Sequence, residues 1–330
     1  MAEILEPTNY NITRCKEHLE GSKVVAVPTE TVYGLAANAL DEVAVKKIFE
    51  IKKRPLIDPL IVHVHSSDQT PFYAELNQLA KKLIKEYWPG PLTLVLRKKS
   101  KISNLVTANL SSVAIRSPQH PTFRKLLEAL PFPLAAPSAN PFGYISPTQA
   151  IHVQRSLGDK IRYILNGGCS KLGIESTIID VQDENKPTIL RPGPITCDEL
   201  EQKFNRTFFS HKEKSGHLTI TAPGLLDNHY SPKKPLTLVG KNDLQDLLSK
   251  NEHTLMNNSA ILLRKRPTKL KAENLFWLSE NGDLNEISKN LYHILRYVDE
   301  SHYSELYIEE LEMVHLGVAL MDRIRKAANK

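Results

Sequence analysis

Lys52-Lys53-Arg54 closes a run of apolar residues at helical spacing and is followed at once by Pro55. A lysine point charge beside a guanidinium fork is what a polyphosphate needs. Cations also match the dipole at a helix end and can simply be solvated there. Here the proline locks the exit and a strand signal begins at Leu60, so alternate residues can face one concavity. Thr29 and Thr31 flank Glu30 just after a buried strand, where hydroxyls can cap a turn or bond a small polar substrate. His63 alternates with Ile61 inside LIVHV, which reads as a half-buried histidine. Arg116 ends the strand VAIR and can grip a carboxylate with two parallel bonds or sit on the surface as a charge. Ser138 and Asn140 in PSANPFG, Ser146 before Pro147, and Ser176-Thr177 after a glycine-rich run add short polar side chains at strand ends. Together they point to binding of a nucleotide and a small carboxylate, with electrostatic rather than nucleophilic catalysis.

Several other chemistries are absent. Gly168 and Gly173 have the spacing of a phosphate loop, but Ile174 and Glu175 follow them instead of Lys and Ser or Thr. No HExxH and no GxSxG occurs. Cys15, Cys169 and Cys197 are scattered and form no CxxC, which argues against a disulfide framework or a zinc cluster.

The elements that must position these residues follow from pattern. Val24–Val27 is a compact β-branched run. Asp41 is a good N-cap for a helix carrying Ala44, Val45, Ile48, Phe49 and Ile51, and Pro55 stops it. Leu60–Val64, Leu92–Leu96, Val113–Arg116, Leu134–Ala136, Ile161–Leu165, Thr177–Val181 and Thr188–Leu190 read as strands, with helices between only some of them. A mixed, twisted sheet with helices packed on it fits better than a strict βαβ repeat. Periodicity fades over 205–235, a stretch punctuated by Pro223, Pro232 and Pro235 that carries His229 and Tyr230 in its middle. Such a loop is a linker or a functional loop. From Leu236 strands and helices alternate, as in a small Rossmann-like parallel sheet, though without a GxGxxG fingerprint. The expected division is therefore 1–204, a linker over 205–235, and 236–330.

With 330 residues, 41% of them hydrophobic, the chain can build proper cores, and the length favours two domains. A formal net charge of +6 favours anionic partners such as nucleotides or nucleic acid. Arg97-Lys98-Lys99 with Lys101, and Arg264-Lys265-Arg266 with Lys269 and Lys271, could touch RNA phosphates or be solvated loops. No apolar run reaches the roughly 20 residues of a membrane span and no leader pattern opens the chain, which reads as soluble and cytoplasmic.

The segments VPTETVYGLAA, KKRPLIDPLIVHV, WPGPLTLVL, VAIRSPQHP, PLAAPSAN, GIESTIID and ILRPGPIT, in that order, resemble the YrdC-like threonylcarbamoyl-adenylate synthases from about Val24 to Pro194. The region after 205, with HYSP in the linker, resembles the long form of that family. The resemblance implies an open α/β sheet around a large positive cavity, and the reaction of L-threonine, bicarbonate or CO2, and ATP to threonylcarbamoyladenylate and pyrophosphate. The product would feed threonylcarbamoyladenosine formation beside the tRNA anticodon, through downstream transfer machinery. Magnesium would be held through the ATP phosphates and by no protein side chain. Carried over residue by residue, Lys52 and Arg54 would serve catalysis, and Lys52, Arg54, Asp58, Ser112, Ser138, Asn140, Ser146, Arg191 and Tyr230 would hold ATP. Thr31, His63, Arg116, Ala136 and Ser176 would hold threonine, with Arg116 on its carboxylate. Asp58 departs from the Asn or His common in the family, as Ser117 and Phe142 depart from a usual Met and Ser. The alternatives are an RNA-binding protein without catalysis, separable by salt dependence, and a related carbamoyl-adenylating enzyme with another acceptor, separable by the amino acid it needs.

Overall fold

The structure is a computed structural model that describes residues 1–210, 222–224, 229–240, 243–244, 258–268 and 272–329. The chain divides into two compact units, one made of 1–142, 146–171 and 175–226, the other of 143–145, 172–174 and 227–330.

The first unit runs β1 (Glu3–Leu5), α1 (Asn9–Glu20), β2 (Val25–Val27), β3 (Gly34–Asn38), α2 (Glu42–Lys52), β4 (Ile61–His63), a 3-10 turn (Ser67–Phe72) and α3 (Gln78–Tyr87). It continues through β5 (Leu92–Arg97), β6 (Ser112–Arg116), α4 (Pro121–Glu128), β7 (Leu134–Ala135), α5 (Ala150–Leu157), β8 (Tyr163–Leu165), β9 (Thr177–Asp180), β10 (Thr188–Arg191), α6 (Cys197–Phe204) and β11 (Phe209–Ser210). The strands form one 11-stranded mixed sheet in the order β1-β8-β2-β3-β7-β4-β6-β5-β9-β10-β11. Helices cover it unevenly, as the sequence pattern implies. One buried cluster joins α2 and α3 residues such as Ile48, Phe49 and Leu83 to the sheet through Leu35, Val62 and Leu94. A second joins α1 and α4 to it through Val25, Val27 and Ala36.

Strand β3 has no counterpart in the sequence pattern, which marks no element between the turn at Thr29–Thr31 and the helix capped by Asp41. GLAAN has poor strand propensity. It is a strand because small residues are needed between β2 and β7: a Cβ on Gly34 would lie 3.3 Å from the Ala136 Cβ. The register places Val27 opposite Gly34, so residues 28–33 form a loop that closes back on the sheet.

The helix α2 is capped as its sequence requires. The Asp41 side chain accepts from the Val43 amide, and Lys53 adopts the left-handed conformation (φ 54°) that ends the helix. The Phe142 amide donates to the Lys52 carbonyl at 2.8 Å, satisfying one of the helix's last acceptors.

The second unit holds β12 (Leu236–Val239), β13 (Ser259–Leu263), β14 (Leu275–Trp277), α7 (Leu284–Asp299), β15 (Glu305–Glu309) and α8 (Leu316–Ala328). Its four strands are all parallel, in the order β12-β15-β13-β14. The helix expected over 243–250 lies outside the described residues except at 243–244. Tyr144 is bound into this unit: its hydroxyl donates to Asp299 Oδ2 at 2.7 Å, and the Arg296 guanidinium lies 4.7 Å from its ring centre.

Among the described residues, no helix is long and apolar enough to cross a membrane.

Candidate functional site

The left-handed turn at Lys53 decides how the basic cluster is used. Lys53 points outward, and Lys52 and Arg54 are only 2% and 6% exposed, so the solvated reading of this cluster fails. Lys52 Nζ donates to the carbonyl of Ser138 at 2.7 Å and to that of Asn140. Burial pushes its pKa well down, Arg54 adds to the effect, and Asp58 opposes it. Arg54 donates from Nε to the Asp58 carbonyl at 3.0 Å and from Nη2 to the Pro59 carbonyl at 2.8 Å. The same Nη2 stands 2.8 Å from Asp58 Oδ1 as an ion pair outside hydrogen-bond alignment. Asp58 is fully buried; burial raises its pKa against the pull of Arg54, Lys52 and Arg191. One carboxyl thus sits among three cations, and its direct partner is Arg54.

Arg191, at the end of β10, donates from Nε and Nη2 to the Ser176 carbonyl at 3.1 and 3.0 Å, and from Nη2 to Ser176 Oγ at 3.1 Å. Its Nη1 donates to the Pro223 carbonyl at 3.2 Å, which ties the linker to the end of β10. Ala222 is buried with Ile61, Val95, Ala114, Ile178 and Leu190 in a small apolar floor on one sheet face. Strand alternation puts Ser112 and Arg116 of β6, His63 of β4, Thr93 of β5 and Ser176 before β9 on that same face.

Arg116 anchors the other side. Its Nε donates to the Gly90 carbonyl at 3.1 Å, its Nη1 to Thr31 Oγ1 at 3.0 Å, and its Nη2 lies 2.7 Å from Glu30 Oε1. Thr31 Oγ1 is 2.7 Å from Thr29 Oγ1, which also accepts from the amides of Thr31 and Val32 and closes the turn. His63 pairs in register with Arg116 across β4 and β6. It is 3% exposed rather than half-buried, and its ring packs on Phe123 at 5.5 Å. Burial first, then Arg116, push its pKa down to about 3, so the ring is neutral at any working pH. Ser176 Oγ shares a hydrogen bond with Thr93 Oγ1 at 2.7 Å. Gly193 lets this segment close: a Cβ there would lie 2.4 Å from the Thr177 amide nitrogen and 2.8 Å from the Ser176 carbonyl carbon.

Of the remaining expected residues, Ser138 and Asn140 are brought to Lys52 by their carbonyls, and Ala136 donates its amide to the Ile61 carbonyl at 3.0 Å. Ser146 Oγ donates to Glu175 Oε1 at 2.6 Å. Ser112 opens β6, at the opposite end of the strand from Arg116. Tyr230 belongs to the second unit, where it is buried, stacked on Tyr292 at 5.8 Å and covered by the Arg323 guanidinium at 5.2 Å. Sequence reasoning passes over Glu30, Glu175 and Thr93. Glu30 does carry a signal, a charge between two threonines in an otherwise neutral turn.

The surface basic runs are partly tied down. Arg264 pairs with Glu312 at 2.7 Å, Arg266 with Glu280 at 3.3 Å, and Lys98 bonds Asn104 at 2.5 Å; Lys269 and Lys271 lie outside the described residues.

A family model described as "Telomere recombination", covering the Sua5, YciO and YrdC proteins, matches residues 17–193. A second, described as the C-terminal domain of threonylcarbamoyl-AMP synthase, matches residues 195–329. The chain belongs to the Sua5/YrdC family. Relatives in the family include the threonylcarbamoyl-AMP synthase of Pyrococcus abyssi, 40% identical over 93% of this chain and 90% of that protein. The Bacillus subtilis synthase is 35% identical over 98% and 94%. The solved P. abyssi Sua5 complexed with L-threonine is similar over 99% of this chain and 96% of that one, with a TM-score of 0.88 and 37% identity. Escherichia coli YciO shares the fold over 58% of this chain, with a TM-score of 0.53 and 22% identity. Carrying both matched segments, this Sua5/YrdC chain is an enzyme of the threonylcarbamoyl-AMP synthase type, a nucleotidyltransferase.

Proposed function

We propose that the protein joins L-threonine, bicarbonate or CO2, and ATP into L-threonylcarbamoyladenylate with release of pyrophosphate, in the cytoplasm, for threonylcarbamoyladenosine modification of tRNA beside the anticodon. The observation that carries this reading is the buried ionic layout. Lys52, Arg54 and Arg191 act on the buried Asp58 carboxyl, and Arg116 is held by Thr31 and Glu30. The first group suits phosphates and the second a small carboxylate with polar neighbours.

In this reading the threonine amine becomes a carbamate, the carbamate oxygen attacks the α-phosphorus of ATP, and pyrophosphate leaves. No side chain acts as nucleophile. Lys52 and Arg54 neutralise charge on the phosphates, with Ser138, Asn140, Ser146, Ser112, Asp58 and Arg191 around the nucleotide. Thr31, His63, Arg116, Ala136 and Ser176 hold threonine. Aligning bound reactants in this way is worth on the order of 7–11 kcal/mol. Among the described residues no group of three His, Cys, Asp or Glu could hold a metal. In this reading magnesium enters as the counter-ion of ATP, supplying charge neutralisation when bound, and no step runs through it. Residues 1–204 carry the chemistry, 205–235 serve as linker and lid, and 236–330 form the appended domain.

The test is pyrophosphate release with ATP, magnesium, threonine and bicarbonate, leaving each out in turn. Release should need both threonine and bicarbonate. Release that ignores threonine would contradict the reading.

A further inference from the structure

Glu30 is 3% exposed, and neither of its carboxylate oxygens accepts a hydrogen bond. Its charge contact is Arg116 Nη2 at 2.7 Å, out of hydrogen-bond alignment. A buried carboxylate left without donors is costly unless something supplies them. Nearby groups are committed elsewhere. Arg116 gives Nε to Gly90 and Nη1 to Thr31. His120, within electrostatic reach of Glu30, has its Nε2 at 3.1 Å from the Gly167 carbonyl.

An α-amino acid carries a carboxylate and an ammonium on one carbon. A guanidinium and a carboxylate fixed side by side in a dry site are the matching pair. An ammonium brings three N–H donors to oxygens that have none. Resting on the threonine reading above, we infer that Glu30 receives the α-ammonium of the threonine whose carboxylate Arg116 holds. The pair Arg116–Glu30 is then a zwitterion receptor, and Glu30 is the residue that separates α-amino acids from other small hydroxy-carboxylates. An acid lacking the amine would leave Glu30 unsatisfied and set two anions side by side. Sites built to bond a substrate N–H reject analogues without it by several orders of magnitude.

The experiment is calorimetric titration of the full chain with L-threonine and with 3-hydroxybutyrate, which keeps the carboxylate, hydroxyl and methyl and lacks the amine. The wild-type protein should prefer threonine by at least about 100-fold. Glu30→Gln should lose most of that preference by weakening threonine at least about 30-fold while holding 3-hydroxybutyrate steady or tightening it, because the like charge is gone. Glu30→Asp should recover part of the preference. ATP affinity should be unchanged in both variants, while Glu30→Gln, which leaves Arg116 buried without its partner charge, should lower the melting temperature more than Glu30→Asp does. If both ligands weaken together in Glu30→Gln, Glu30 merely tethers Arg116 and the inference is wrong; the same holds if neither changes. A wild-type protein that binds no threonine would instead overturn the functional reading itself.

Discussion

The phosphate side and the amino-acid side of the site use the same materials, buried cations and a buried carboxylate, in different proportions. Around Asp58 the side chains of Lys52, Arg54 and Arg191 converge on one buried carboxyl. Beside Arg116 stand Glu30, Thr31 and a neutral His63, so one cation is paired with one anion. Several buried basic groups gathered in one place favour an arriving anion, which suits that side to a polyphosphate. A balanced pair discriminates by geometry and suits a zwitterion that carries no net charge.

The largest effect should come from the phosphate side. Lys52→Gln removes a charge held by two carbonyls, so pyrophosphate release should fall by about 1000-fold, as for loss of a preorganised electrostatic donor. Threonine affinity should not change. A loss of threonine binding as large as that of ATP binding would break the division. Arg54→Ala should lower activity and also stability, by about 3–5 kcal/mol, because Asp58 loses its direct partner. Adding Asp58→Asn should restore much of the stability, and none of the activity, in urea unfolding and turnover assays. A single variant as stable as the parent would show that the pair is not a structural unit.

The smallest effect reports on the balanced side. His63 is held neutral, with its folded pKa near 3 and an unfolded value near 6.5. Below pH 6.5 the unfolded chain binds a proton that the native state refuses, so stability falls with falling pH and the loss vanishes above 6.5. His63→Gln should therefore remove about 1.5 kcal/mol of the acid sensitivity between pH 6.5 and 5, read from urea midpoints at both pH values. Parallel pH curves for parent and variant would contradict a neutral, buried ring.

The two sides are unequally legible in the sequence. Lys52 and Arg54 can be read because the helix period, the Asp41 cap and Pro55 fix where the helix ends. Their burial cannot, since it depends on Lys53 adopting a left-handed turn and on Ser138 and Asn140 arriving from after β7. Asp58 reads as a departure from the family's usual residue; its partnership with Arg54 emerges only when the loop closes. Strand β3 is hidden from pattern reading because Gly34, Ala36 and Ala37 serve close packing rather than strand propensity. Glu30 stands out as a charge between two threonines, but its burial is hidden because its partner Arg116 lies at the end of β6.

The division between the sides is tested most directly by crossing ligands with variants. ATP and threonine affinities are measured calorimetrically for the parent, Lys52→Gln and Arg116→Lys. Lys52→Gln should weaken ATP alone. Arg116→Lys, which loses the bidentate fork, should weaken threonine alone, by about 10- to 100-fold. If each substitution weakens both ligands equally, the site is one undivided charge cluster, and the separation into a phosphate side and an amino-acid side is wrong.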